Sequence, residues 1–317
     1  MSFFDPAKFV EETVDTLKNQ LSDKAIIAAS GGVDSTVAAV LAAKAVGDNL
    51  LAIYVDTGYM RLNESKFVSS MLKELGVQHK VVDASDRFYK GLKGVIDPEQ
   101  KRKIIGELFI RVFEKESKEY GGKFLVQGTI APDWIESGGG IRDTIKSHHN
   151  VGGLPDDMEM ELCEPIRELY KDEVRSLAEY LKVSVSQRQP FPGPGLAVRV
   201  MGEATPERTE IVRQACHIAE EEMELAAKEG VMELPWQYFA VILPVKTVGV
   251  QGDVRAYGNT IAVRAVHSYD AMTAQAAELP YSVLKRISER ITRELKNDVN
   301  RVVYDITDKP PGTIEWE

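Results

Sequence analysis

The chain has 317 residues, 44% hydrophobic and 28% charged, with 39 basic against 49 acidic side chains. A net charge of −10 argues against a nucleic-acid binder, which would carry a basic balance or stripe. No run approaches the ~18 apolar residues of a membrane span, the first residues lack the basic and apolar regions of a signal peptide, and two cysteines, Cys163 and Cys216, fit a reducing cytoplasm rather than a disulfide framework.

The first half alternates apolar runs with helical patterns. Residues 25–29, 50–55, 79–82 and 123–127 read as strands, and 34–46, 63–75 and 98–120 as helices. This alternation predicts an α/β fold with a doubly wound, mostly parallel sheet. Ligands in such sheets sit beyond the carboxyl ends of the strands, where three short segments converge: the glycine loop after residue 29, Asp56-Thr57-Gly58 and Gly128-Thr129. The glycine-rich stretch 136–153 reads as an active-site loop, and 171–181 as a helix. The Pro/Gly-rich run 190–195 resists both helix and strand, so the chain divides into domains of residues 1–185 and 186–317. In the second, smaller α/β domain, 196–200, 238–243, 261–266 and 301–304 read as strands and 206–228 and 281–295 as helices.

Ser30-Gly31-Gly32-Val33-Asp34-Ser35-Thr36 is the most informative stretch. A tight glycine turn between a buried strand and a helix aims backbone N–H groups and a positive helix end at one point, which suits a phosphate. Gly31 and Gly32 permit positive φ and close approach. The spacing is neither that of a Walker A loop nor G-x-G-x-x-G. The plainer reading is a glycine turn with Asp34 or Ser35 as helix cap. Elsewhere, Lys146, His148 and His149 lie in the glycine-framed loop, Glu136 opens it and Asp133 precedes it. Cys216 and His217 are adjacent on a predicted helix and point apart, so no cysteine–histidine pair is evident.

The loop is similar to that of the N-type ATP pyrophosphatases, of the adenine nucleotide alpha-hydrolase-like fold. Further segments narrow the resemblance: Val55-Asp56-Thr57-Gly58, Gly128-Thr129-Ile130, residues 145–155, Arg167-Glu168-Leu169-Tyr170-Lys171, Pro190-Phe191-Pro192-Gly193-Pro194-Gly195, Val248-Gly249-Val250-Gln251-Gly252-Asp253 and the tail Lys309-Pro310-Pro311-Gly312-Thr313-Ile314-Glu315-Trp316-Glu317. Together, from about residue 5 onward, they resemble the synthetase part of the GMP synthetases.

The resemblance implies that XMP is adenylated by ATP at its C2 oxygen, pyrophosphate leaves, and ammonia displaces AMP to give GMP. On this reading Ser30, Gly31, Gly32, Val33, Asp34, Ser35 and Thr36 hold the β- and γ-phosphates, with Asp34 placing Mg²⁺. Val55 and Gly128 suit adenine and ribose, or serve only packing and turn geometry. Lys146, His148 and His149 close over the transition state. Asp133 and Glu136 orient that loop, bind metal or assist proton removal from ammonia. Lys171 is a second phosphate contact or a surface lysine. Arg102, Pro192, Gly193, Gln251, Lys309, Thr313, Ile314 and Glu315 are implied contacts of XMP. No glutaminase domain fits before the loop, so ammonia is expected from solution or from a separate glutamine amidotransferase subunit. The C-terminal domain is expected to form a homodimer. Gln189 departs from the histidine expected before Pro-Phe-Pro-Gly.

Overall fold

The computed structural model describes residues 4–136, 160–184, 188–251, 253–269 and 271–317. The chain forms two compact units. The first takes residues up to 57, 63–87 and 105–188; the second takes 58–62, 88–104 and 189–317.

The first unit is built on a five-stranded parallel sheet. Its strands are β1 (Ala25–Ala28), β2 (Leu50–Asp56), β3 (His79–Asp83), β4 (Phe124–Val126) and β5 (Glu161–Cys163), in the order β3-β2-β1-β4-β5. Ala25 pairs with Leu50 on one side and Phe124 on the other. β1 and β4 are apolar along their length because both faces are covered. Helix α1 (Pro6–Gln20) starts on the Asp5 side chain, which accepts from Ala7 N at 3.0 Å and Lys8 N at 3.2 Å. It packs on α2 (Val33–Val46), whose residues 36–42 are all buried. α3 (Glu64–Glu74) packs on β2 and β3. The short α4 (Ser85–Gly91), the long α5 (Pro98–Tyr120) and the short α6 (Ala131–Glu136) follow. α7 (Lys171–Tyr180) returns to α1 and α2. After β3 the chain reverses direction across the sheet to reach β4, so the switch point lies between β1 and β4, where a doubly wound sheet binds its ligand. The expected fold class is the one observed.

In the second unit, α8 (Pro206–Lys228) and α9 (Tyr281–Glu294) pack on each other and on a mixed sheet. Its strands are β6 (Gln237–Gln251), β7 (Val254–His267), β8 (Gln275–Ala276) and β9 (Val299–Asp305). β6 and β7 form an antiparallel hairpin, β8 joins β7 antiparallel, and β9 joins β7 parallel. The hairpin runs well past the expected strands 238–243 and 261–266. Residues 196–200, expected as a strand, instead form a 3₁₀ turn at Gly195–Arg199, with only Val200 bridged to Ile242. The run is apolar because it is buried on every side, a pattern that periodicity cannot tell from a strand. Its first backbone amide is satisfied outside any ladder, Leu196 N donating to Tyr59 O at 2.7 Å.

Candidate functional site

At the switch point, the loop after β1 feeds directly into α2. Gly31 has φ +78°, while Gly32, expected to share that freedom, has an ordinary φ of −82° and is the helix N-cap. Neither Asp34 nor Ser35 caps the helix, and the N-cap makes no side-chain hydrogen bond. The loop is braced from within: Ser30 Oγ lies 2.8 Å from Ser35 Oγ and accepts from Gly32 N at 3.2 Å, and Thr36 Oγ1 donates to Gly32 O at 2.7 Å. A helix start left uncapped by side chains keeps its N–H groups for an anion.

Two neighbours fix the loop's position. A Cβ on Gly31 would lie 2.8 Å from Val68 Cγ2 and 3.4 Å from Glu64 Oε1. Glu64 is buried and forked to Arg188 at 2.6 and 2.7 Å. From the other side, a Cβ on Gly128 would lie 2.7 Å from the Asp34 carbonyl carbon and 2.8 Å from Ser35 N. The loop after β4 therefore rests backbone to backbone on the first turn of α2, which is the close approach that only glycine allows. The Thr129 hydroxyl beside it is buried with no hydrogen-bond partner among the described residues.

Asp34 stands among charges. Burial, and then the charge of Asp133, push its pKa up to about 6, while Lys171 and Arg175 pull the other way. Asp133 accepts from Ile130 N at 3.0 Å at the start of α6. Lys171 is the exposed first residue of α7, whose start is capped by Glu173 accepting from Tyr170 N at 2.8 Å. Asp34, Asp133 and Lys171 are thus brought together. Val55 is buried near the end of β2. Among the described residues no group of three His, Cys, Asp or Glu side chains forms a metal cage. Mg²⁺ needs none: it is held by one or two carboxylates plus substrate phosphates, which fits the Asp34–Asp133 pair. Lys146, His148, His149 and the side chain of Glu136 lie outside the described residues.

In the second unit the C-terminal tail is fastened by three buried cations. Arg264 donates to Asp305 Oδ2 and to the carbonyls of Thr307, Thr313 and Ile314, each at 2.8 Å. Arg199 forks onto Glu315 at 2.8 and 3.1 Å. Lys101 donates to Val200 O at 2.7 Å and to the Glu317 carboxylate. Arg102 bonds the Glu317 carbonyl. Lys309 exchanges backbone bonds with Ala274, and its Nζ donates to Ala271 O at 2.8 Å. Pro192 O accepts from Gly195 N at 2.9 Å, closing a turn with Gly193 exposed. Gln189, at the position expected to be histidine, bonds Glu220 and Tyr238 N, both at 2.9 Å. Cys216 bonds the Ala240 backbone and His217 faces Glu221, so the two do point apart. Gln251 stands at the hairpin tip, ten residues along β7 from Arg264 and its tail, roughly 30 Å of strand.

The candidates therefore sort by unit. Ser30–Thr36, Val55, Gly128, Asp133 and Lys171 belong to the first; Arg102, Pro192, Gly193, Gln251, Lys309 and Thr313–Glu315 belong to the second. The reading by residue type gave no role to Glu64, Arg188, Thr129, Lys101, Arg199 or Arg264. Arg199 and Arg264 carried a signal, each a charge inside an apolar run, 196–200 and 261–266.

Comparison with known proteins places both halves. A family model described as NAD synthase matches residues 6–112, and one described as GMP synthase C terminal domain matches residues 224–316. The chain is 58% identical to one subunit of the glutamine-hydrolyzing GMP synthase of Pyrococcus abyssi, over 98% of this chain and 99% of that protein. It is 58% identical to the subunit of the same name from Methanocaldococcus jannaschii and 55% identical to that from Methanopyrus kandleri, over 99% of this chain and 100% of each.

Proposed function

The chain belongs to the family formed by this subunit of the glutamine-hydrolyzing GMP synthases, and on that premise we propose that it adenylates XMP with ATP and aminates the product with ammonia made by a separate glutamine amidotransferase subunit. The observation that supports the reading is the sorting of residues: the glycine loop with Asp34, Asp133 and Lys171 lies in one unit, and the tail fastened by Arg264, Arg199 and Lys101 lies in the other.

The C2 oxygen of XMP attacks the α-phosphorus of ATP, the bond to pyrophosphate breaks, and an adenylated XMP forms. Ammonia then attacks C2, AMP leaves, and one proton is lost. The backbone N–H groups at the start of α2 bind the β- and γ-phosphates, with Ser30, Ser35 and Thr36 bracing the loop. Lys171, beside Asp34, adds positive charge for the departing pyrophosphate. Asp34 and Asp133 are the residues that would hold a Mg²⁺ ion brought with ATP, and the ion would offset the negative charge of the phosphates. Val55 and Gly128 bound the adenosine. Lys146, His148 and His149 close over the α-phosphate and keep water from the adenylate. Glu136 orients that loop or takes the ammonia proton.

XMP is taken by the domain of residues 186–317, joined by segment 88–104 with Arg102, and ATP by the domain of residues 1–185. Thr313–Glu315 and Lys309 read the purine and its phosphate, and the Pro192–Gly193 turn presents preset backbone groups. The outer hairpin exposes Val248, Val250, Val254 and Tyr257. Val248 and Tyr257 are cross-strand partners on one face, with Val250 two residues along. This apolar face supports a homodimer through the second unit, and a hairpin reaching a second copy brings Gln251 to a substrate that its own tail holds too far away. No described helix is long and apolar enough to cross a membrane. We assign the enzyme to the cytoplasm, where its two free cysteines, both buried, stay reduced.

The test is pyrophosphate release by the purified chain with ATP, Mg²⁺ and an ammonium salt. Release that requires XMP and yields GMP is expected. Release independent of XMP, or none even with the amidotransferase added, overturns the reading.

A further inference from the structure

Arg199 is fully buried, at 0% exposure, one of the largest side chains hidden completely in this protein. A guanidinium is always charged, so hiding it demands compensation. The compensation is directional. Nε donates to Glu315 Oε2 at 3.1 Å and Nη2 donates to Glu315 Oε1 at 2.8 Å, a two-point fork that fixes both position and plane of the carboxylate. Gln237 Nε2 donates to the same Oε1 at 2.8 Å. The guanidinium is itself held between two rings, 4.1 Å from the centroid of Phe239 and 5.2 Å from that of Phe191. Phe191 belongs to the Pro190–Gly195 segment, and Gln237 and Phe239 open β6, so the fork is anchored in the interior of the second unit. The third nitrogen, Nη1, is buried without a hydrogen bond among the described residues. The Cys216 thiol and the Glu220 carboxylate are its other charged or titratable surroundings. The arrangement spends a buried cation on one carboxylate in a tail that Arg264 already secures through three backbone carbonyls.

We propose that Arg199 is a positioning residue for XMP recognition: it sets the plane of the Glu315 carboxylate, and thereby the backbone of Ile314 and Glu315, in the geometry the substrate meets. Arg199 does not touch the substrate. The Arg264 bonds locate the tail, while the Arg199 fork orients the Glu315 carboxylate within it. The inference rests on reading the tail as the XMP contact.

The experiment compares wild type, Arg199→Lys, Arg199→Met, Glu315→Gln and the double variant Arg199→Met/Glu315→Gln, with pyrophosphate release measured while XMP and ATP are varied separately. Lysine keeps a cation in the cavity but cannot fork, so Arg199→Lys is expected to raise KM for XMP by about tenfold, with KM for ATP within about twofold of wild type. Arg199→Met orphans the Glu315 charge, which the double variant removes again, so the double variant is the safeguard against misfolding. Because Arg199 acts through Glu315, the double variant is expected to have the KM for XMP of Glu315→Gln alone. Multiplication of the two single effects overturns the proposal. So does a series that lowers the melting temperature while KM for XMP stays put, the signature of a purely structural arginine. The wild-type control separates the two readings: without XMP-dependent release there, it is the assignment of the tail that fails.

Discussion

Asp34 is held at the start of α2 where burial and the charge of Asp133 both oppose its ionisation. Its folded-state pKa of about 6 lies above the ordinary 3.8. Between those values the native state keeps a proton that the unfolded chain has released, so stability falls as pH rises through that window and stays lower above it. In metal-free protein, Asp34→Asn is therefore expected to stabilise the fold by about 1–3 kcal/mol at pH 7, with the gain shrinking toward zero as pH falls to about 4. Urea midpoints in the presence of a chelator test this. Under assay conditions Asp34→Ala should abolish pyrophosphate release, and near-normal turnover would remove Asp34 from the phosphate site. The loop itself was legible because strand, glycine turn and helix are contiguous in the chain. Glu64 and Arg188 were not: their fork joins residues 124 positions apart, and nothing local marks Glu64 as buried. The lone Thr129 hydroxyl is equally silent in sequence.

Among elements, the loop after β4 and the first turn of α2 meet backbone to backbone. Gly128→Ala puts a methyl 2.7 Å from the Asp34 carbonyl carbon, and neither backbone has room to yield without moving the helix start. It should cost about 1–3 kcal/mol and raise KM for ATP at least about tenfold, with KM for XMP little changed; equal effects on both substrates would argue for general damage instead. In the second unit, Lys101→Met strands the buried Glu317 carboxylate and should cost about 3–5 kcal/mol, largely recovered by adding Glu317→Gln. Thermal melts of the single and double variants decide it. The strands of the first sheet were readable because burial on both faces makes them continuous apolar runs. β5 was not, with three residues of which only Cys163 is buried. The outer half of the β6–β7 hairpin was not readable because its covered face is carried by Thr247, Gly249, Ala256 and Gly258 against Asn300 rather than by apolar side chains, while Val248, Val250 and Tyr257 fall on the exposed face.

For the molecule as a whole, the exposed hairpin face is the feature an isolated chain leaves unused. Val250→Glu with Tyr257→Glu should convert a dimer to a monomer on analytical ultracentrifugation without lowering the melting temperature of the second unit by more than about 1 kcal/mol equivalent, as for exposed positions generally. A wild-type monomer would remove the dimer from the reading. The allocation of 58–62 and 88–104 to the second unit was not legible in the sequence, because those residues differ in no compositional way from their neighbours. That allocation bears on how the protein is made. Tyr59 accepts from Leu196, Gly58 and Met60 accept from Arg213, and Lys101 meets Glu317 across 216 positions. At roughly 5–20 residues per second, a ribosome delivers Glu317 on the order of 10–40 s after Lys101. Segment 58–62 meets Leu196 and Arg213 well within that interval, whereas Lys101 waits through all of it for Glu317, so a chaperone that attends the growing chain would meet a second unit still lacking this buried ion pair.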